Sequence, residues 1–150
     1  MDTLTPFEKQ VLDACLAGDS PVLCDLRQQA IGLTVSSREY TGPGAYINFA
    51  VSESSPLLEG RTIIIGDVNL EIKGLPSGVA TLLYILDGKL NFLELATYDG
   101  DWPDQPEITG IGYLREIEIS EDSFNLVPAP ERHAPTLDRA LQGRASQSAA

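Results

Sequence analysis

Apolar positions recur at helical spacing near the start of the chain and at a period of two further on. Phe7, Val11, Leu12, Cys15 and Leu16 form one stripe, opened by Thr5 as N-cap, Pro6 at the first helical position and Glu8 completing a capping box. Gly18 stops that helix. A second begins at once, with Ser20 capping, Pro21 in the first position and Val22, Leu23, Leu26 and Ala30 as its stripe, and Gly32 ends it. Two helices with so short a connection predict a helical hairpin whose shared face must lie on something else.

After Gly32 the alternation predicts strands. Residues 33–40 and 45–51 flank a Thr41-Gly42-Pro43-Gly44 turn, and Ala45, Ile47, Phe49 and Val51 share a face. A polar loop is expected over 52–60. Residues 62–72 follow as a strand with Val68, Leu70 and Ile72 inward and Asp67, Asn69 and Glu71 outward, bent or bulged at Gly66. Asp87-Gly88 between two apolar runs predicts a type I′ hairpin over 79–97. Unbroken pairing from that turn sets Ile85 opposite Leu90, Leu83 opposite Phe92 and Thr81 opposite Glu94. On its other face Leu82 meets Leu93 and Ala80 meets Leu95, so the hairpin is central and both of its faces need covering. Residues 98–106 read as a loop and about 111–119 as a last strand. The expected fold is α+β, a helical hairpin packed on a mainly antiparallel sheet of five or six strands. The domain is expected over 1–123, followed by a Pro/Ala-rich tail, 124–150, that is partly mobile apart from one short helix around Leu137 and Leu141.

Composition changes this picture through charge. A chain of 150 residues with 43% hydrophobic content suits one globular domain. Its 10 Lys and Arg against 22 Asp and Glu leave a net charge of −12, which disfavours nucleic acid and anionic membrane as direct partners. From Glu94 to Asp122 there are nine acids and one base, Arg115, so this window carries −8 of the −12. The first residues show no basic and apolar leader, no apolar run is long enough to span a bilayer, and two cysteines are too few for a disulfide framework. A cytoplasmic location is expected.

Candidate chemistry is sparse. His133 is the single histidine and sits in the expected tail; Cys15 lies on the buried stripe and Cys24 off it. The glycines at 42, 44 and 60 lack the Lys-Ser/Thr of a phosphate loop. Asp99, Asp101 and Asp104 do not follow the spacing of a calcium loop. No catalytic residue, metal or cofactor is expected. Glu71 and Glu94 are the best carboxylates for acid–base work, Glu94 either as a desolvated acid or as a partner of Arg38 or Arg61.

What stands out is a surface. Tyr98 and Trp102, the only tryptophan, lie among Asp99, Asp101 and Asp104 with Glu94 nearby. Aromatic anchors ringed by charge suit a protein interface, and acids around them steer a basic partner. The plainer alternative is that Trp102 folds back over the end of the sheet.

Taken in order, Leu4-Thr5-Pro6-Phe7-Glu8, Gly18-Asp19-Ser20-Pro21-Val22-Leu23, Ser37-Arg38-Glu39-Tyr40-Thr41-Gly42, Gly66-Asp67-Val68, Gly74-Leu75, Asp87-Gly88, Leu93-Glu94 and Tyr98 to Pro103 resemble a group of small uncharacterised bacterial cytosolic proteins. The likeness covers about residues 4–103 and implies a bacterial, non-secreted protein with no site residues to carry over.

Three functions are compatible with these features. The first is a non-catalytic acidic binding domain, immunity- or antitoxin-like, that captures a basic protein through Glu94, Tyr98, Asp99, Asp101, Trp102 and Asp104. The second is a small-molecule or carbohydrate-binding or hydrolysing domain using Glu71, Glu94 and nearby tyrosines. The third is a homodimer formed through the second apolar sheet face.

Overall fold

Helix α1 (Pro6–Cys15) starts where the capping box predicts. The Glu8 N–H donates to Thr5 Oγ1 at 3.1 Å, and the Thr5 N–H donates to Glu8 Oε1 at 2.9 Å. Helix α2 (Pro21–Ala30) begins with the Val22 N–H on Ser20 Oγ at 3.2 Å. The strands are β1 (Thr34–Tyr40), β2 (Gly44–Ala50), β3 (Arg61–Ile65), β4 (Val68–Ile72), β5 (Leu75–Leu86), β6 (Lys89–Thr97), β7 (Ile108–Ser120) and β8 (Ser123–Ala129), followed by α3 (Ala134–Gln142) and the two-residue β9 (Arg144–Ala145). A computed structural model describes residues 2–52, 60–121 and 123–145 of the chain. The expected loop at 52–60 and the end of the tail lie largely outside them. No helix among the described residues is long and apolar enough to cross a membrane.

The fold is α+β, with three helices and an antiparallel sheet in the order β1-β2-β6-β5-β4-β7-β8. The β5–β6 hairpin is central. Val11, Leu12, Cys15, Leu16, Leu23 and Leu26 of the helical hairpin share one core with Ile47, Leu70, Leu83, Leu93 and Leu95 of the sheet.

Strands β3 and β4 behave as one strand broken at Gly66-Asp67, as the sequence suggests. Ile65 pairs with Leu83 and Asn69 with Ala80, so this side holds one residue more than β5 does. Asp67, expected outward, is buried instead. The break turns its carboxylate toward Arg132, which donates from Nε to Oδ2 at 2.9 Å and from an Nη to Oδ1 at 2.8 Å.

A second bulge overturns the expected hairpin register. The turn is of the expected kind, with φ of 52° at Asp87 and 79° at Gly88, and Ile85 does face Leu90. The next pair is Tyr84 with Phe92, which leaves Asn91 unpaired. Buried Gln29 of α2 occupies the gap: it accepts from the Leu90 N–H at 2.9 Å and donates to the Gly88 carbonyl at 2.7 Å. From there on every side chain of β6 changes face. Leu93 faces Leu83 and Leu95 faces Thr81 on the helix side, while Glu94 lies beside Leu82 on the open side.

The sheet also continues past residue 123. β8 completes a hairpin with β7, and α3 places Leu137 and Leu141 in the core, ending before Gly143 as its pattern predicts. The expected boundary between domain and tail at 123 is therefore corrected: residues 123–142 belong to the fold, because the Leu137 stripe has core to cover.

Candidate functional site

The loop between β6 and β7 is anchored by backbone. The Trp102 N–H donates to the Gly42 carbonyl of the β1–β2 turn at 2.7 Å, and Thr97 Oγ1 donates to the Gly100 carbonyl at 2.9 Å. Gly100 has φ of +97°, a backbone conformation for which glycine is suited. Trp102 is half-buried, its ring meeting Phe7 of α1 edge-on at 5.9 Å and packing against the core. Tyr98, Asp99, Asp101 and Asp104 remain exposed.

Beside Trp102 the loop, α1 and β1 enclose a hollow of about 270 Å³, whose walls include Phe7, Tyr40, Ile47, Leu95, Trp102 and Asp104. The Arg38–Glu8 ion pair also lines it. Arg38 donates to the two oxygens of Glu8 at 2.7 and 2.8 Å, to Asp2 at 2.9 Å and to the Thr3 carbonyl at 3.2 Å. Burial pushes the Glu8 carboxyl up, but the Arg38 guanidinium and the Thr5 N–H outweigh it and hold its pKa below the ordinary value. A second hollow, of about 330 Å³, is lined by Tyr40, Gly42, Trp102, Pro103 and Asp104. Tyr40, 67% exposed, therefore stands with Trp102 and Asp104 between two concavities.

Glu94 does not join this cluster. Leu95 and Ile47 point to the helix side, where Trp102 lies, and the neighbouring Glu94 points to the opposite face. Two rows cross that open face in register: Glu39, Tyr46, Glu94 and Leu82, then Asn48, Phe92, Tyr84 and Ile64. The partners of Glu94 are hydroxyls rather than Arg38, with Tyr46 donating at 3.1 Å and Tyr84 at 3.5 Å. The hydrogen bond to Glu94 raises the Tyr46 pKa, while burial and then the Glu94 charge raise that of Tyr84. Tyr84 and Phe92 stack at 4.2 Å and 16°, spending one ring face of each on the other rather than on a sugar. Glu71 sits on β4 against Gly110 of β7, lining a different hollow with Gly74, Pro76 and Thr109. Glu94, held by Tyr46 and Tyr84, and Glu71, beside Gly110, thus have different surroundings. This face is also less apolar than the expected register implies, because the bulge exchanges Leu93 for Glu94.

Comparison with protein-family models, curated proteins and solved structures finds no match to this chain.

The residues that sequence reasoning missed are structural anchors. Arg132 donates to the Ala14, Cys15 and Ala17 carbonyls at 3.2, 2.8 and 2.6 Å while holding Asp67, and its guanidinium lies 5.4 Å from the Tyr113 ring centre. His133 is not a loose tail residue: it N-caps α3, with Nδ1 accepting from the Thr136 N–H at 3.4 Å and 2.7 Å from the Thr136 hydroxyl. Nothing local in the sequence marks Arg132, since its partners lie 65 to 118 positions away. Gln29 was detectable only as a polar residue falling on the inward side of α2. Cys15 is buried, which pushes its thiol up to about 12, whereas Cys24 is exposed. Among the described residues no three His, Cys, Asp or Glu side chains form a metal-binding group.

Proposed function

We propose that the chain is a non-catalytic binding protein that captures a basic protein partner on the surface around Trp102 and Tyr40. The observation that carries this reading is the pair of hollows sharing Tyr40, Trp102 and Asp104. A half-buried aromatic between two concavities suits an interface anchor, because a partner's apolar side chain can be desolvated there without reorganising the backbone. Asp99, Asp101 and Asp104 are exposed around it and supply long-range attraction for lysine and arginine. An immunity- or antitoxin-like role is one concrete form, in which the acidic surface neutralises a basic toxin. Glu94, on the opposite face, drops out of this interface.

The experiment is an NMR titration of the chain with short peptides carrying one aromatic residue between two arginines. The expected result is shifts at the Trp102 indole and the Tyr40 ring that weaken as salt rises and vanish in Trp102→Ala. Shifts confined to Tyr46, Tyr84 and Phe92 would move the site to the open face, and binding indifferent to salt would remove electrostatic capture.

A further inference from the structure

The last two strands leave the body of the sheet. β7 pairs with β4 only as far as Tyr113, and from Leu114 to Ser120 its ladder partner is β8 alone. This ribbon carries Ile117, Ile119, Phe124 and Leu126, each 41–59% exposed. β8 ends the strand order, so its outer edge has no neighbour among the described residues.

The direction of its backbone groups follows from one hydrogen bond. The Glu116 N–H donates to Thr136 Oγ1 at 3.0 Å, away from β8, so Glu116 and Leu126 are a non-hydrogen-bonded pair. Alternation along the ladder then turns the N–H and C=O of both Leu126 and Phe124 outward. Pro128 falls in the same outward set, where its missing N–H costs no bond to β7. The Leu114 N–H, opposite Pro128, agrees by bonding the Asp67 carbonyl.

We propose that this edge is a self-association site at which β8 of a second copy pairs antiparallel about a twofold axis through Asn125. That axis sets Phe124 opposite Leu126 of the other copy, twice, and satisfies both residues with four main-chain hydrogen bonds. The edge is self-complementary, as a closed twofold interface requires. Charge favours a second copy over a basic partner. β8 (Ser-Phe-Asn-Leu-Val-Pro-Ala) carries no charge in a chain of net −12, so two copies meet at a neutral strand that offers a cation nothing to pair with. Glu116 and Glu118 lie one strand back, so that Glu116 of one copy comes opposite Glu118 of the other roughly 14 Å away, across three strand spacings and beyond the ~8 Å screening length. Glu116 is moreover paired with Arg139 at 3.0 Å, whose guanidinium lies 4.1 Å from the Phe124 ring centre. This association is independent of capture at Trp102 and has the opposite salt response, since screening relieves the repulsion between two acidic copies.

Sedimentation equilibrium of the full chain from micromolar to millimolar concentration tests it. The expected result is a mass approaching twice 16.2 kDa, reached at lower concentration as salt rises, with Phe124 and Leu126 amide exchange slowing in step. Leu126→Pro removes an outward N–H without breaking a β7 bond, and should weaken association at least about tenfold with the circular dichroism unchanged. Asn125→Cys in a Cys24→Ser background should cross-link on oxidation, because directly opposed non-hydrogen-bonded residues bring their Cα atoms to about 4.5 Å. A chain that stays monomeric at millimolar concentration overturns the proposal. So does a dimer indifferent to Leu126→Pro, or one that Asn125→Cys does not cross-link.

Discussion

The two ends of α1 are built alike and differ in where their parts come from. At the N-terminal end Arg38 grips Glu8 and Asp2; at the C-terminal end Arg132 grips Asp67 and the Ala14, Cys15 and Ala17 carbonyls. Each end buries a carboxylate under a guanidinium, and each opens onto a hollow. The hollow at the C-terminal end, of about 600 Å³, is lined by Gly18, Tyr113, Arg132 and Leu137 among others. The first end grows out of a capping box and a nearby strand, while the second joins a strand break to a segment 65 residues further on. Arg132 supplies the donors that a helix C-terminus lacks and neutralises Asp67 with the same group, whereas Arg38 neutralises Glu8 at an end already capped by Thr5.

The largest expected effect therefore comes from the C-terminal end. Arg132→Met leaves Asp67 buried and unpaired and three carbonyls without their donor, which should cost about 3–5 kcal/mol in a urea titration. If Arg38→Met proves equally costly, the asymmetry between the ends is wrong. We expect about 2–3 kcal/mol there, because Glu8 keeps its Thr5 N–H.

Acid tests the N-terminal end. The Glu8 pKa is lower folded than unfolded, so its contribution is complete above the ordinary carboxylate value and is lost as pH falls through the folded one. Stability followed from pH 7 downward should decline below about 4.5 in the native chain and more shallowly in Glu8→Gln.

Gln29→Leu, which unpins the β6 bulge, should cost about 1–3 kcal/mol by orphaning the Leu90 N–H and the Gly88 carbonyl. Trp102→Ala should cost about 1–2 kcal/mol while abolishing peptide binding, since the ring is only half-buried on Phe7. Replacing Asp99, Asp101 and Asp104 together by Asn should leave stability within about 0.5 kcal/mol and slow association. The smallest change is chemical: a thiol reagent should label Cys24 in the native chain and reach Cys15 only on unfolding.

Local signals carried the elements. The Thr5–Glu8 box, the prolines at the helix starts, the Asp87-Gly88 turn and the break at Gly66 each act within a few residues and appear where expected. The loop around Trp102 was legible for the same reason, as a cluster of aromatic, proline and acid. Its composition did not say which side of the sheet Trp102 covers, nor that Tyr40 of β1 stands beside it.

The helices, the turns and the α+β class follow from the chain's local order, because capping, glycine conformation and side-chain period each act over a few residues. Faces and partners came from the packing. One unpaired Asn91, pinned by Gln29 sixty residues away in sequence, moved Glu94 to the face opposite Trp102, because a one-residue slip in a strand exchanges every side chain beyond it. Arg132 became an anchor because a strand break left Asp67 and the end of α1 pointing at one place, which no spacing along the chain encodes.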